Sequence, residues 1–160
     1  MAESIGLKVN GTMRNVSCDP DAPLLTILRN DLDLKAARFG CGHELCGACM
    51  VLIDGLPSYS CTLPVSAVGD REVTTVEGLG TAAAPHPIQT ALLQEQAGQC
   101  GYCLSGIQIS AAALLQRTTS PTREEIKAAL DPNLCRCGIH LRAIRAVERA
   151  AATLRAGDAA

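Results

Sequence analysis

The chain has 160 residues with 14 basic and 16 acidic side chains, and a net charge of -2 leaves no electrostatic footprint for nucleic acid or an anionic membrane. It has no Trp, and its only aromatic residues are Phe39, Tyr59 and Tyr102, so it lacks a stacking platform and its core must be aliphatic. No run approaches the roughly 18 apolar residues of a membrane span, and MAESIGLKVNG lacks the apolar region of an export signal, so a cytoplasmic location is expected.

Ile5 to Val9 and Thr12 to Val16 flank Asn10-Gly11, a strong hairpin signal, and read as two antiparallel strands. Asp19-Pro20-Asp21-Ala22-Pro23 then forces a turn. Leu24, Leu25, Ile27, Leu28 and Leu32 follow with helical spacing and predict a helix closing over one face of the sheet. Beyond the next loop, Met50 to Ile53 and Leu56 to Ser60 flank Asp54-Gly55, a second hairpin turn. Glu72 to Val76 completes a small mixed sheet crossed by one helix, a ferredoxin-like β-grasp.

The loop between the helix and Met50, Phe39 to Cys49, holds three cysteines and three glycines in eleven residues. Glycine allows the tight curling that closely spaced thiolate ligands need. With Cys61 as fourth ligand, Cys41, Cys46 and Cys49 give C-x4-C-x2-C-x11-C, the plant-type ferredoxin spacing for a two-iron, two-sulfur cluster.

Residues 79–87, rich in Gly, Ala, Pro and Thr, read as a linker between a domain at 1–78 and another at 88–160. Strand signals stop there. Ile88, Ala91 and Leu92 begin one helix, and Leu104, Ile107, Ala111, Leu114 and Leu115 mark a second. Thr122-Arg123-Glu124-Glu125 offers a capping box for a third through Leu130, with Ser120 before Pro121 as a competing cap. Leu141, Ile144, Val147, Ala151 and Leu154 trace a fourth. The fold class is therefore α+β: a β-grasp ferredoxin domain followed by a four-helix bundle.

Cys100 and Cys103 lie between the first and second of these helices, and Cys135 and Cys137 between the third and fourth. Two corners on one end of a bundle would gather four thiolates, the count a second two-iron cluster needs. An odd number of cysteines argues against a disulfide framework and for metal binding. Structural zinc is the competing use of both groups, and a redox dithiol competes for Cys100 and Cys103. Cys18 stands apart and reads as a buried apolar cysteine.

His43 reads as solvent-facing or loop-bonding, because four cysteines already serve that loop. His86 and His140 read as solvated or capping residues. Arg142, Arg145 and Arg149 read as a solvated helix face that could equally meet a partner.

Three stretches, FGCGHELCGACMVLIDG followed by Cys61, QCGYC at Gln99 to Cys103, and NLCRCG at Asn133 to Gly138, together resemble the small iron-sulfur subunit of the molybdenum hydroxylases. That family includes xanthine and aldehyde oxidoreductases and bacterial dehydrogenases of N-heterocycles, and His86-Pro87-Ile88-Gln89 is closer to the bacterial branch. The resemblance implies an electron-transfer subunit in a heteromeric complex. A large partner subunit would hold a molybdopterin cofactor, in its cytosine dinucleotide form, and oxidise an N-heterocycle or aldehyde. Two 2Fe-2S clusters would then pass electrons to an FAD-binding or cytochrome c subunit. It further implies that the cluster on Cys100, Cys103, Cys135 and Cys137 lies nearer the molybdenum, that Gln99 and Cys137 approach the pterin, and that the cluster on Cys41, Cys46, Cys49 and Cys61 faces outwards. In this family a complex can also reach the periplasm or a membrane through its partners. A free two-cluster ferredoxin-like carrier is the rival reading.

Overall fold

The computed structural model describes residues 2–158. The chain opens with strands β1 (Glu3–Val9) and β2 (Thr12–Cys18), paired antiparallel with Val9 opposite Thr12. Asn10 and Gly11 make the turn with φ of 50° and 75°, the mirror-image geometry that suits the right-handed twist of a hairpin. The Asn10 side chain also reaches across the sheet: its Nδ2 donates to Thr75 Oγ1 at 3.0 Å and its Oδ1 accepts from Thr75 N at 2.9 Å.

Helix α1 starts at Leu24–Thr26 and continues in a wider turn over Ile27–Asp31, where Leu32 N donates to Ile27 O at 3.1 Å. Leu24, Leu25, Ile27 and Leu28 are buried against the sheet as their spacing predicts. The remaining strands are β3 (Met50–Ile53), β4 (Leu56–Tyr59) and β5 (Glu72–Thr74). The sheet runs β2-β1-β5-β3-β4, with β1 and β5 parallel and the other pairs antiparallel. Strand β5 stops at Thr74, short of the expected Val76, because Thr75 is held by Asn10 and the chain turns into the short helix α2 (Val76–Leu79). A 3-10 turn over Val65–Val68, which the sequence pattern did not indicate, buries Val65 and Val68.

Four helices follow, as expected: α3 (Pro87–Gln94), α4 (Leu104–Arg117), α5 (Arg123–Leu130) and α6 (His140–Asp158). They share one core that includes Ile88, Leu92, Ile107, Leu114, Ile126 and Val147. Each such side chain contributes about 1.5–3 kcal/mol by leaving water. Thr122 caps α5 through the capping box with Glu125, its Oγ1 accepting from Glu125 N at 3.2 Å, so Ser120 is not the cap. His86 caps α3, with Nδ1 accepting from Ile88 N at 3.2 Å and Pro87 in the first helical position. The arginines of α6 are not merely solvated. Arg145 and Arg149 both bind the Glu95 carboxylate, at 3.2 and 2.6 Å, and tie α6 to the end of α3.

The two halves are joined by more than the connecting loop. All four residues of β3 are buried; Val51 and Ile53 belong to the core beneath α1, whereas Met50 and Leu52 pack with Ile109 and Ala113 of α4. A run of consecutive apolar residues, in place of alternation, is what a strand covered on both faces requires. Among the described residues no helix is long and apolar enough to cross a membrane.

Candidate metal centres

The loop from Phe39 to Cys49 aims backbone N–H groups at sulfur. Cys41 Sγ accepts from His43 N at 3.4 Å and Leu45 N at 3.2 Å, and Cys46 Sγ accepts from Cys41 N at 3.3 Å. The His43 and Leu45 amides pull the Cys41 thiol down to about 7. At the inner end of the loop, burial pushes Cys49 up to about 11, and Cys61 lies against it. Ser60 Oγ donates to Cys49 O at 2.6 Å, fixing the end of the loop to the segment that carries Cys61. The four cysteines are therefore arranged as two pairs, Cys41 with Cys46 and Cys49 with Cys61. The His43 side chain is exposed, while its amide serves the loop.

The second group also forms two pairs. Cys100 and Cys137 meet with their sulfurs 3.4 Å apart, and Cys103 lies against Cys135. Burial pushes the Cys103 thiol up to about 12. Burial opposes ionisation of Cys135 too, yet the Ile139 amide, the Cys103 thiol and the Cys137 and Gly138 amides together hold it below its ordinary value. The Tyr102 amide and the Cys137 thiol lower Cys100. Cys100 is exposed and Cys137 partly so, and Gln99 Nε2 donates to Cys137 O at 3.2 Å, which places Gln99 on the same exposed edge. Cys18 is buried, and burial raises its thiol.

The donor chemistry suits iron-sulfur clusters at both places. A two-iron cluster takes one pair of thiolates on each iron, whereas a single tetrahedral zinc draws four ligands to one point. Backbone N–H groups directed at sulfur supply the hydrogen bonds that tune a cluster.

Between the two groups lies a cavity of about 320 Å³ lined by Cys41 and Cys46 on one side and by Cys100, Cys103 and Cys135 on the other, with Leu134 beside them. Several bonds cross between the halves there. Leu134 N donates to Cys46 O at 3.0 Å, Arg38 Nη1 to Gly101 O at 2.8 Å, and Ser105 Oγ to Ala48 O at 3.0 Å. The Tyr102 hydroxyl donates to Phe39 O, with the Arg38 guanidinium 5.3 Å from the centre of the Tyr102 ring. Sequence reasoning passed over Arg38, Ser105 and Gly106, and took Asn133 only as the start of NLCRCG, because each matters through a partner far along the chain.

Residues 7–75 match the family of 2Fe-2S iron-sulfur cluster binding domains, and residues 75–148 that of 2Fe-2S binding domains. The chain is 52% identical to one of the subunits of nicotinate dehydrogenase from Pseudomonas putida, over 97% of this chain and 99% of that protein. It is 50% identical to the alpha chain of isoquinoline 1-oxidoreductase from Brevundimonas diminuta, over 82% of this chain and 86% of that one. A chain of quinoline 2-oxidoreductase from Pseudomonas putida 86 superposes with a TM-score of 0.91 at 30% identity, covering 98% of both. The aldehyde oxidoreductase of Desulfovibrio desulfuricans superposes with a TM-score of 0.92 at 39% identity over 96% of this chain, which is 17% of that longer polypeptide. With two paired sets of thiols in two joined cluster domains, and relatives matched nearly end to end that are themselves subunits of oxidoreductases, the chain belongs to the small iron-sulfur subunits of the molybdenum hydroxylase family.

Proposed function

We propose that this protein relays electrons from the molybdenum-pterin centre of a large partner subunit to an outward acceptor. In this reading residues 1–78 form the plant-type cluster domain, 79–87 the linker and 88–160 the helical cluster domain. Cys41, Cys46, Cys49 and Cys61 hold one 2Fe-2S cluster, and Cys100, Cys103, Cys135 and Cys137 hold the other. The observation that carries it is the pairing of eight thiols in two adjacent groups. Bound there, the clusters supply one-electron redox chemistry; the chain supplies the ligands, the amide donors to sulfur and the burial that set their potentials.

Gln99 and Cys137, on the exposed edge of the second group, are proposed to face the pterin. The Gln99 amide offers both donor and acceptor to a pterin edge. Leu45, 75% exposed at the tip of the first loop, suits the opposite role of meeting the acceptor protein. The relatives' names, nicotinate dehydrogenase and isoquinoline 1-oxidoreductase, favour an N-heterocycle as the substrate of the complex, with an aldehyde as the other class. An acceptor in the form of an FAD-binding or cytochrome c subunit, the cytosine dinucleotide form of the molybdopterin, and a cytoplasmic or partner-directed periplasmic location belong to the same proposal.

Purification from the native host with iron, sulfide and molybdenum analysis tests it. The expected result is a complex that contains a large molybdenum subunit, with two distinct 2Fe-2S signals by electron paramagnetic resonance. Recovery of this chain alone with both clusters would establish the free carrier in its place, and a colourless zinc protein would refute both.

A further inference from the structure

Asn133 is 4% exposed and sits at the point where the two halves touch, yet the relay as described gives it no task. Its Nδ2 donates to Ser110 Oγ at 2.8 Å, and Ser110 Oγ in turn donates to Met50 Sδ at 3.1 Å, so a short polar chain runs from the α5–α6 corner through α4 to β3. Its Oδ1 is the one buried side-chain polar atom among the described residues without a hydrogen-bond partner. That oxygen is wedged against two glycines. A Cβ at Gly106 would lie 2.5 Å from it and a Cβ at Gly47 2.8 Å, so it faces Cα–H groups that can offer only weak C–H···O contacts. An unpaired buried amide oxygen is costly, and such an arrangement persists where the position itself is needed.

The position fixed is that of the next residue. Leu134 N donates to Cys46 O at 3.0 Å, and Leu134 precedes Cys135. From one thiol group to the other the covalent path is thus broken by a single hydrogen bond: Cys46, its carbonyl, the Leu134 amide, and Cys135. Leu134 itself is 71% exposed, so its side chain does little to anchor that amide, whereas Asn133 is clamped on Ser110 and between Gly47 and Gly106.

We propose that Asn133 is the positioning residue for electron passage between the two cluster loops, holding the Leu134 amide against the Cys46 carbonyl. The inference rests on the cluster-ligand reading above. In the step it serves, one electron leaves the cluster held by Cys100, Cys103, Cys135 and Cys137, which is oxidised by one equivalent. The cluster held by Cys41, Cys46, Cys49 and Cys61 is reduced by one, and no bond forms or breaks.

The test uses the holo-complex with Asn133→Ala. Electron paramagnetic resonance after dithionite reduction reports whether both 2Fe-2S signals are present and how strongly the two reduced clusters interact magnetically. Pulse reduction with a one-electron donor reports how fast the electron redistributes between them. Both signals should survive, the magnetic interaction should weaken, and redistribution should slow by about tenfold or more, since small misplacements weigh heavily on positioned steps. Both signals present with unchanged interaction and rate would overturn the proposal. If Asn133→Ala fails to load its clusters, Ser110→Ala decides, because it removes the anchor of the Asn133 amide and its contact with Met50 while leaving Asn133, Leu134 and Cys46 themselves unaltered. It should show the same changes in weaker form, and wild-type behaviour there also overturns the proposal. Absence of two 2Fe-2S signals from the unaltered protein would instead sink the ligand reading, so the two failures are distinguishable.

Discussion

A Cβ on Gly106 would stand 2.1 Å from the carbonyl oxygen of Gly47, so a residue in the first turn of α4 and a residue between two cysteines of the first loop meet backbone to backbone. Gly47 has φ of 71° and its own Cβ would meet Pro132 O at 2.6 Å, so neither position has room for a side chain. The approach lets Ser105 of α4 donate to Ala48 O and Leu134, in the segment between α5 and α6, donate to Cys46 O.

Replacing Gly106 with Ala should therefore force the halves apart. The expected cost is about 1–3 kcal/mol, the range for overpacking a close contact. For a chain of this length that is on the order of 5 °C in Tm. Thermal unfolding of the holo-protein checks it, and an unchanged Tm would show that the contact yields freely.

Tyr102→Phe deletes the hydroxyl that donates to Phe39 O and keeps the ring beneath Arg38. The expected loss is about 0.5–1.5 kcal/mol, a typical net hydrogen bond. Arg38→Ala should cost more, because it removes both the bond to Gly101 O and the guanidinium over the ring. A double-mutant cycle of Arg38→Ala with Tyr102→Ala, which removes the ring, reads the coupling in denaturant unfolding; strict additivity would mean that the stacking contributes nothing.

Glu95 gives a pH dependence. Arg149, with help from Arg145, holds its carboxyl below the ordinary value of 4.5, so the folded chain binds fewer protons than the unfolded chain as the pH drops below 4.5. The stabilisation is present above pH 4.5 and is lost as the pH falls through the folded value. Glu95→Gln should melt lower than wild type at pH 7, with the gap closing under acid conditions. A gap of the same size at pH 7 and pH 3 would argue that the charge is not what ties α6 to α3.

Two cysteine variants should behave oppositely. Cys137→Ser is expected to disturb the cluster signal of the helical half and abolish turnover of the complex, whereas Cys18→Ala should keep both signals. The Cys18 change should cost only about 1 kcal/mol, for a small group removed from a core. Normal turnover in Cys137→Ser would contradict the proposed route, and loss of a signal in Cys18→Ala would assign that thiol a role beyond packing.

Much of the architecture was legible because its signals are local. Asn10-Gly11 and Asp54-Gly55 announce hairpins, four apolar stripes announce the helices, and the cysteines fall at the corners between them. What stayed hidden depends on partners distant in sequence. Thr75 leaves the sheet because Asn10 captures it, and Arg145 and Arg149 look solvated until Glu95 is found beneath them. The unbroken apolar run Met50 to Ile53 did carry a signal for burial on both faces, but only the presence of α4 explains it. Ser105 and Gly106 have no motif-level mark at all, and Asn133 stands at the head of NLCRCG with nothing there to show its packing role: their work is to let two backbones approach and stay there.

Strand β3 begins immediately after Cys49, and α4 begins immediately after Cys103. Packed together through Met50, Leu52, Ile109 and Ala113, this strand and helix act as a ruler whose two ends each carry a proposed cofactor ligand. In the proposed relay the spacing between the redox centres is then set by a rigid splice of two elements and not by the loop 80–86 that connects the halves. Relatives could lengthen or shorten that loop freely, and the distance an electron must cross would stay the same.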